Sequence, residues 1–183
     1  NFVDGLLIQP NSDGSAPTTG TLSTATGNVG IGKSTFGALT SGDYNSGYGY
    51  NSLVSLTTGA DNTASGYYAL ISNTTGSENT AVGIRALYTN TTATGNVAVG
   101  RNTLQANTTA SNNTAIGKSS LALNVTGTRN TAVGSDSLFN NTGSFNTAVG
   151  SNCLTANTSG AQNVAVGDYT LNANTTASFN TAI

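Results

Sequence analysis

The feature that most constrains this chain is a five-residue motif, Asn-x-(Ala/Gly)-x-Gly, which recurs at an almost constant interval. Successive motifs are 17 residues apart, except for one interval of 16. They start at Asn28, Asn45, Asn62, Asn79, Asn96, Asn113, Asn130, Asn146, Asn163 and Asn180. A fixed period of this length is typical of a solenoid, in which each repeat forms one coil and stacks on its neighbours.

The columns of the repeat have distinct residue types when each unit is numbered from its Asn as position 1. Position 5 is Gly in all nine complete units, and position 9 is Leu in eight of them, with Phe36 in the first. Position 8 is always a small residue and includes Cys153, the only cysteine. Charged residues of the array fall only just after the Gly and just before the next Asn. We therefore expect Leu to form an internal spine and the charges to lie at solvated corners.

Two stretches of each unit, positions 1 to 5 and about 8 to 13, are rich in Val, Ile, Thr, Leu and Ala. Stretches of this length suit strands, and Gly with β-branched residues interrupts every candidate helix. The sequence predicts an all-β fold, a parallel β-solenoid (β-roll) of about nine 17-residue coils with two strands per coil. Each coil would stack about 4.8 Å from the next.

The chain divides into a repeat array over residues 28–183 and a lead-in over residues 1–27, which lacks the motif and contains both prolines. The lead-in has neither the basic segment nor the long apolar core of a signal peptide or membrane span. Because the last repeat is incomplete, we expect this chain to be a piece of a longer fibre. The lead-in either caps the first coil or continues a preceding domain, and its candidate capping residues are Phe2, Val3, Leu6, Leu7 and Ile8.

Composition argues against several classes of function. Five basic residues spread over 183 positions offer no footprint for nucleic acid, and the segment contains nothing that would insert into a membrane. Without His, a lone Cys153 cannot complete a Cys/His metal site. Asp43, Asp61 and Glu78 fall in consecutive turns and could bind a structural calcium, but the Gly-Asp nonapeptide of calcium-binding β-rolls is absent, so we expect no metal and no cofactor. Catalysis would depend on scattered carboxylates, of which only Asp61 and Glu78 share a column in adjacent units. Exposed corner charges are the simpler interpretation, so we expect no enzyme, and a carbohydrate-active solenoid enzyme is the least favoured alternative.

Position 12 carries Asn-x-Thr/Ser triplets from the third unit onward. Such triplets are possible glycosylation sites in a secreted chain, but stacked Asn side chains also form amide ladders. Both interpretations stay open from the sequence. The residues are Asn73, Asn90, Asn107, Asn124, Asn157 and Asn174, with Asn140 matching in the shortened unit.

Small residues at position 3 alternate with bulky residues at position 4, so one side of the strand is nearly flat. A thin coil encloses little apolar volume with which to offset the entropy of ordering the chain. Burial of the Ala/Gly or the Val/Ile face against identical chains would compensate, so we expect self-association as a homotrimer.

Residues 79–83, 113–117 and 163–167, with the sequences NTAVG, NTAIG and NVAVG, resemble the head repeats of bacterial trimeric autotransporter adhesins. They are also similar to repeats in tail-fibre and virion-fibre proteins. The resemblance implies a trimeric β-roll outside the cell, on a cell or virion surface. Its implied role is attachment to a surface glycan or host receptor, or that of a spacer.

Ice binding is the alternative, because grass ice-binding proteins have a similar Asn-x-Val-x-Gly solenoid. Regular rows of Thr can form a flat array on such a fold. Here Val29, Val97 and Val164 interrupt the Thr column at position 2.

Overall fold

The computed structural model describes the backbone of residues 6–8 and all of residues 25–183. This part of the chain contains no helix and forms one eleven-stranded parallel sheet, ordered β1 to β11 along the chain. The predicted all-β parallel solenoid is therefore confirmed. The strands are β1 Leu6–Ile8, β2 Val29–Ile31, β3 Ser46–Tyr48, β4 Thr63–Ser65, β5 Thr80–Val82, β6 Val97–Val99, β7 Thr114–Ile116, β8 Thr131–Val133, β9 Thr147–Val149, β10 Val164–Val166 and β11 Thr181–Ala182.

Each unit contributes one strand, at positions 2 to 4, and equal positions pair between coils. Thr80 lies beside Val97, Ala81 beside Ala98 and Val82 beside Val99. The expected second strand is wrong, because positions 8 to 11 form turns and positions 12 and 13 belong to no strand in any complete unit. These turns still bond between coils, since the amide of position 9 donates to the position 8 carbonyl of the next coil.

Left-handed backbone explains why the second stretch is not a strand. Positions 7, 9 and 17 have positive φ in residues with side chains, as in Asn102 at 57° and Leu104 at 50°. This conformation costs about 1–2 kcal/mol per residue and cannot belong to an extended segment. Burial offsets the cost at position 9, where the side chain is fully buried in every complete coil except the last. The predicted Leu spine is thus confirmed, although its backbone differs from that of a strand.

The core of the coil is narrow and lies behind the sheet. Ala at position 3, the small residue at position 8 and Leu at position 9 form one continuous apolar cluster along the described chain. Side chains at positions 2 and 4 point the other way, as in β5, where Ala81 is buried while Val82 is exposed. The Ala/Gly side therefore packs inside its own chain and is not available to sister chains. Only the Val/Ile side faces outward.

Gly at position 5 allows the tight turn that follows each strand. Gly100 has φ of 136°, a conformation that side chains strongly disfavour. A Cβ on Gly100 would lie only 2.6 Å from the carbonyl oxygen of Gly117 in the next coil. The column is therefore required both by the backbone angle and by the close approach of successive coils.

The 16-residue unit loses its residue in a corner and keeps the strand register. Thr131 still pairs with Thr147 across β8 and β9. The side-chain amide of Asn130 donates to the carbonyl of Gly143 at 2.9 Å, 13 residues away, where the other described coils use a partner 14 residues away. The deletion therefore lies in residues 140–143.

Strand β1 pairs in parallel with β2, with Leu6 beside Val29, so the lead-in adds one strand to the stack. The proposed capping residues Phe2 and Val3 lie outside the described residues, as do both prolines. In the part that the structure describes, no helix is long and apolar enough to cross a membrane.

Replacement of Gly100 by Ala tests the turn. The methyl group would meet a backbone carbonyl, so we expect the free energy of unfolding to fall by about 1–3 kcal/mol or more. This is the usual cost of a forced backbone angle. Chemical denaturation followed by circular dichroism measures it. Gly95→Asn is the matched control, because position 17 is also left-handed there and the next coil carries Asn112 in that column. Equal stability of G100A and wild type would contradict this account.

Candidate interaction surfaces

The Asn residues at position 1 form a buried ladder that bonds adjacent coils. The backbone amide and Nδ2 of Asn62 each donate to Oδ1 of Asn45, both at 3.0 Å. Its Nδ2 also donates to the carbonyl of Gly76, at position 15 of the same coil, at 2.9 Å. The motif Asn therefore has a complete structural role and no capacity left for a ligand.

A second ladder runs along position 12. Nδ2 of Asn107 donates to Oδ1 of Asn90 at 3.0 Å and to the carbonyl of Ala110 at 2.9 Å. The position 15 carbonyl thus accepts from both ladders, because Asn96 also donates to Ala110, at 3.0 Å. The members are Asn73, Asn90, Asn107, Asn124, Asn141, Asn157 and Asn174.

This arrangement favours the ladder interpretation of the Asn-x-Thr/Ser triplets. A glycan is attached at Nδ2, and in the fully buried members that atom is committed to hydrogen bonds inside the coil. Asn174 belongs to the same ladder but is only partly buried. The fully buried candidates are Asn73, Asn90, Asn107, Asn124 and Asn157.

The remaining candidate, Asn140, is half-buried and lies outside the ladder. Its Nδ2 donates to the carbonyl of Thr155 at 3.0 Å, and its neighbour Asn141 occupies position 12. The Asn-x-Thr/Ser pattern does not identify Asn141, because Gly143 stands where the pattern needs Thr or Ser. The triplet that matches begins one residue earlier, at Asn140. Counting from Asn130 would have found Asn141.

Cys153 is a packed core residue. Its side chain is fully buried, and Sγ donates to the carbonyl of Ala165 at 3.3 Å. Burial raises the pKa of the Cys153 thiol, which disfavours the reactive thiolate. Equivalent positions carry Ser52, Ser120 and Ser137, which agrees with a small packed side chain.

The charged side chains lie at the corners. Asp61 and Glu78 are both exposed at position 17 of adjacent coils. Among residues 25–183, no three His, Cys, Asp or Glu side chains are close enough to hold a metal ion. The charges of this region also form no ion pairs with one another.

The outward side of the sheet carries an apolar row at position 4, which we call the aliphatic face. It continues without interruption through six consecutive coils, with Thr or Val beside each member at position 2. Ile116 is 41% exposed and Val149 38% exposed, which is high for such side chains. Its members are Val82, Val99, Ile116, Val133, Val149 and Val166.

A tyrosine cluster occupies the corner after β3 to β5. The rings of Tyr50 and Tyr67 stack with centroids 5.5 Å apart and planes 14° from parallel. Tyr68 packs against Tyr67 with ring centroids 4.0 Å apart, and the neighbouring Tyr67 side chain raises the pKa of Tyr68. Tyr88 extends the cluster, and Arg85 lies 5.7 Å from its ring.

An open pocket of about 280 Å³ adjoins this cluster. Two guanidinium groups and an aromatic ring at one opening can contact a planar or polyhydroxylated ligand. The pocket is lined by Tyr67, Ile84, Arg85, Arg101 and Asn102.

No protein-family model, curated protein or solved structure matches this chain. The aliphatic face and the tyrosine cluster are the two surfaces of the described chain that can contact another molecule.

Replacement of Asn107 by Ala tests the second ladder. Oδ1 of Asn90 would lose its donor inside the core, so we expect a loss of about 1–3 kcal/mol of unfolding free energy. Thermal and urea unfolding measure it. Gln105→Ala is the control, since the equivalent residue in the next coil is Ala122. If both variants lose the same small amount, the ladder does not stabilise the coil.

Proposed function

We propose that this chain is a segment of an elongated, self-associating fibre on a cell or virion surface, where it acts as a spacer or mediates attachment. The observation that carries the proposal is the aliphatic face, which runs through six consecutive coils and points to solvent in the single chain. The proposal includes no catalytic step and no cofactor.

The composition of this side of the sheet supports burial against other copies of the chain. Positions 2 to 4 carry no charged residue in any unit, while the charges lie in the flanking corners. A central apolar strip without charge and a polar rim are typical of protein interfaces. Contiguous exposed apolar rows are otherwise uncommon on monomers. A homotrimer with the three faces turned toward a common axis would bury them all.

The geometry of stacking supports a fibre. From β2 to β11 the strands follow one another at equal register, which corresponds to about 43 Å at the usual strand spacing. Each coil bonds to its neighbours through the same carbonyls and amides, so the cross-section is constant. The resemblance to adhesin heads and viral fibres adds the surface location and the attachment role.

The tyrosine cluster is our candidate for contact with a surface glycan or host receptor. Tyr50 and Tyr67 are 40% and 45% exposed, and their stacked rings offer an amphipathic platform. The cluster occupies a corner of the coil and lies outside the aliphatic face.

Ice binding remains a second candidate, favoured by the Thr residues that line the aliphatic face. Thr114, Thr131 and Thr147 form a row in three consecutive strands. An ice-binding face must contact ice directly, so it cannot also be buried between chains. The oligomeric state therefore separates the two functions.

The double substitution Ile116→Lys and Val149→Lys tests self-association. The two Lys side chains should raise the dissociation constant of the trimer by more than about tenfold. Each substitution removes an apolar contact between chains and forces an ammonium group out of water on association. Light scattering after size exclusion measures the mass. Leu123→Lys is the control, since Leu123 is 46% exposed but lies on another side of the coil. A wild-type monomer with thermal hysteresis would replace the fibre proposal by ice binding.

Replacement of Tyr67 by Ala tests recognition. A glycan array identifies a bound sugar, and Y67A should weaken its binding by roughly tenfold because one stacking ring is lost. Tyr169→Ala is the matched control, because Tyr169 is 59% exposed and belongs to a distant coil. Absence of any bound glycan would leave the fibre as a spacer.

A further inference from the structure

We propose that two ion pairs form between neighbouring chains, Glu78 with Arg85 and Arg129 with Asp136. They align the fibre chains in parallel, so that each coil lies beside the same coil of the neighbouring chain. This inference rests on the proposed self-association and specifies how the neighbouring copies of the chain are oriented. It concerns the corners that flank the aliphatic face.

The four residues lie at opposite edges of the same face. Position 17 precedes each strand and position 7 follows it. Glu78 and Arg85 therefore flank β5, while Arg129 and Asp136 flank β8. These are the only two coils in which both edge positions are charged, and in both the signs are opposite. The order of the signs is reversed between the two coils.

These charges do not pair within one chain. Six residues, including the whole strand, separate the two charges of each coil, and neither pair comes within the 4.0 Å of an ion pair. Glu78, Arg85 and Arg129 are exposed, and Asp136 is half-buried. Arg129 lies 5.5 Å from the ring of Phe145, which leaves its guanidinium at the surface.

Rotation about an axis parallel to the solenoid joins unlike edges of the face. The position 7 edge of one chain then meets the position 17 edge of the next, and a closed ring repeats this contact at every junction. In register, Arg85 meets Glu78 and Asp136 meets Arg129. If one chain is shifted by one coil relative to the next, only Arg85 with Asp61 attracts in one direction of shift. No opposite charges meet in the other direction.

An antiparallel pair of chains can also bring these charges together, by placing β5 opposite β8. That arrangement sets β9 and β10 against β4 and β3, so Val149 faces Ser65 and Val166 faces Tyr48. The parallel arrangement keeps all six aliphatic coils against one another. A closed ring of three equivalent chains also requires it, because its rotation axis runs along the fibre. The face and the charges together therefore favour parallel chains in register.

Charge reversal tests the pairs. Glu78→Arg or Arg85→Glu alone places like charges at every junction, so each should raise the dissociation constant of the oligomer by about tenfold or more. The double variant E78R/R85E restores opposite charges and should return to within about threefold of wild type. Tyr169→Glu is the matched control, because Tyr169 is also at position 7 and the position 17 residue opposite it is the uncharged Gln162. An oligomer that is insensitive to E78R and R85E would refute the ion pairs.

Cross-linking tests the register independently of the charges. In a Cys153→Ser background, Gln162→Cys and Tyr169→Cys place thiols at the two edges of β10, where both native side chains are exposed. A short bismaleimide should link these chains into covalent trimers. The pair Phe145→Cys and Tyr169→Cys lies one coil out of register and should link much less. Preferential linking of that second pair, or linking only to dimers, would overturn the parallel in-register arrangement.

The two proposals fail in different ways. A wild-type chain that is monomeric at all concentrations refutes the proposed fibre itself. A stable oligomer with unaffected charge variants refutes only the ion pairs.

Discussion

The buried amide of the position 1 Asn is the interaction on which the rest of the fold depends. Its Nδ2 closes its own coil by donating to the position 15 carbonyl, and joins that coil to the preceding one by donating to Oδ1 of the preceding Asn. The side-chain amide also satisfies the backbone amide at the start of each strand. Asp would bring an uncompensated charge and no donor, and Gln would be one methylene too long. The Leu spine packs inside a frame that these amides hold.

Much of this architecture could be predicted from the sequence because stacking repeats every constraint in each coil. The period, the Asn ladder, the Leu spine and the solvated corners all follow from columns of identical residue type. Left-handed backbone at Leu104 and its equivalents could not be predicted, since Leu has no local preference for it. Only burial and the bonds between coils compensate its cost, and these are tertiary effects. The mistaken second strand follows from this same cause.

The interaction surfaces were harder to predict than the core. The sequence showed which side chains alternate at positions 3 and 4, but not which side faced the interior. Only the structure shows that Ala81 is inside and Val82 outside, because this depends on where the turns fold back. Similarly, the repeat pattern places Glu78 and Arg85 among the corner charges. Their placement at opposite edges of one face required the strand bounds and the turns on both sides.

The shortened coil shows how such a chain can vary in length. Loss of one residue between Asn140 and Gly143 leaves the β8–β9 pairing unchanged, because the corner absorbs it. Loss or gain of a whole 17-residue unit would likewise leave every remaining column in place. The molecule would then become shorter or longer by one strand spacing, about 4.8 Å. Duplication of a short coding segment is thus enough to adjust the length of the solenoid in fixed steps, with its cross-section unaltered.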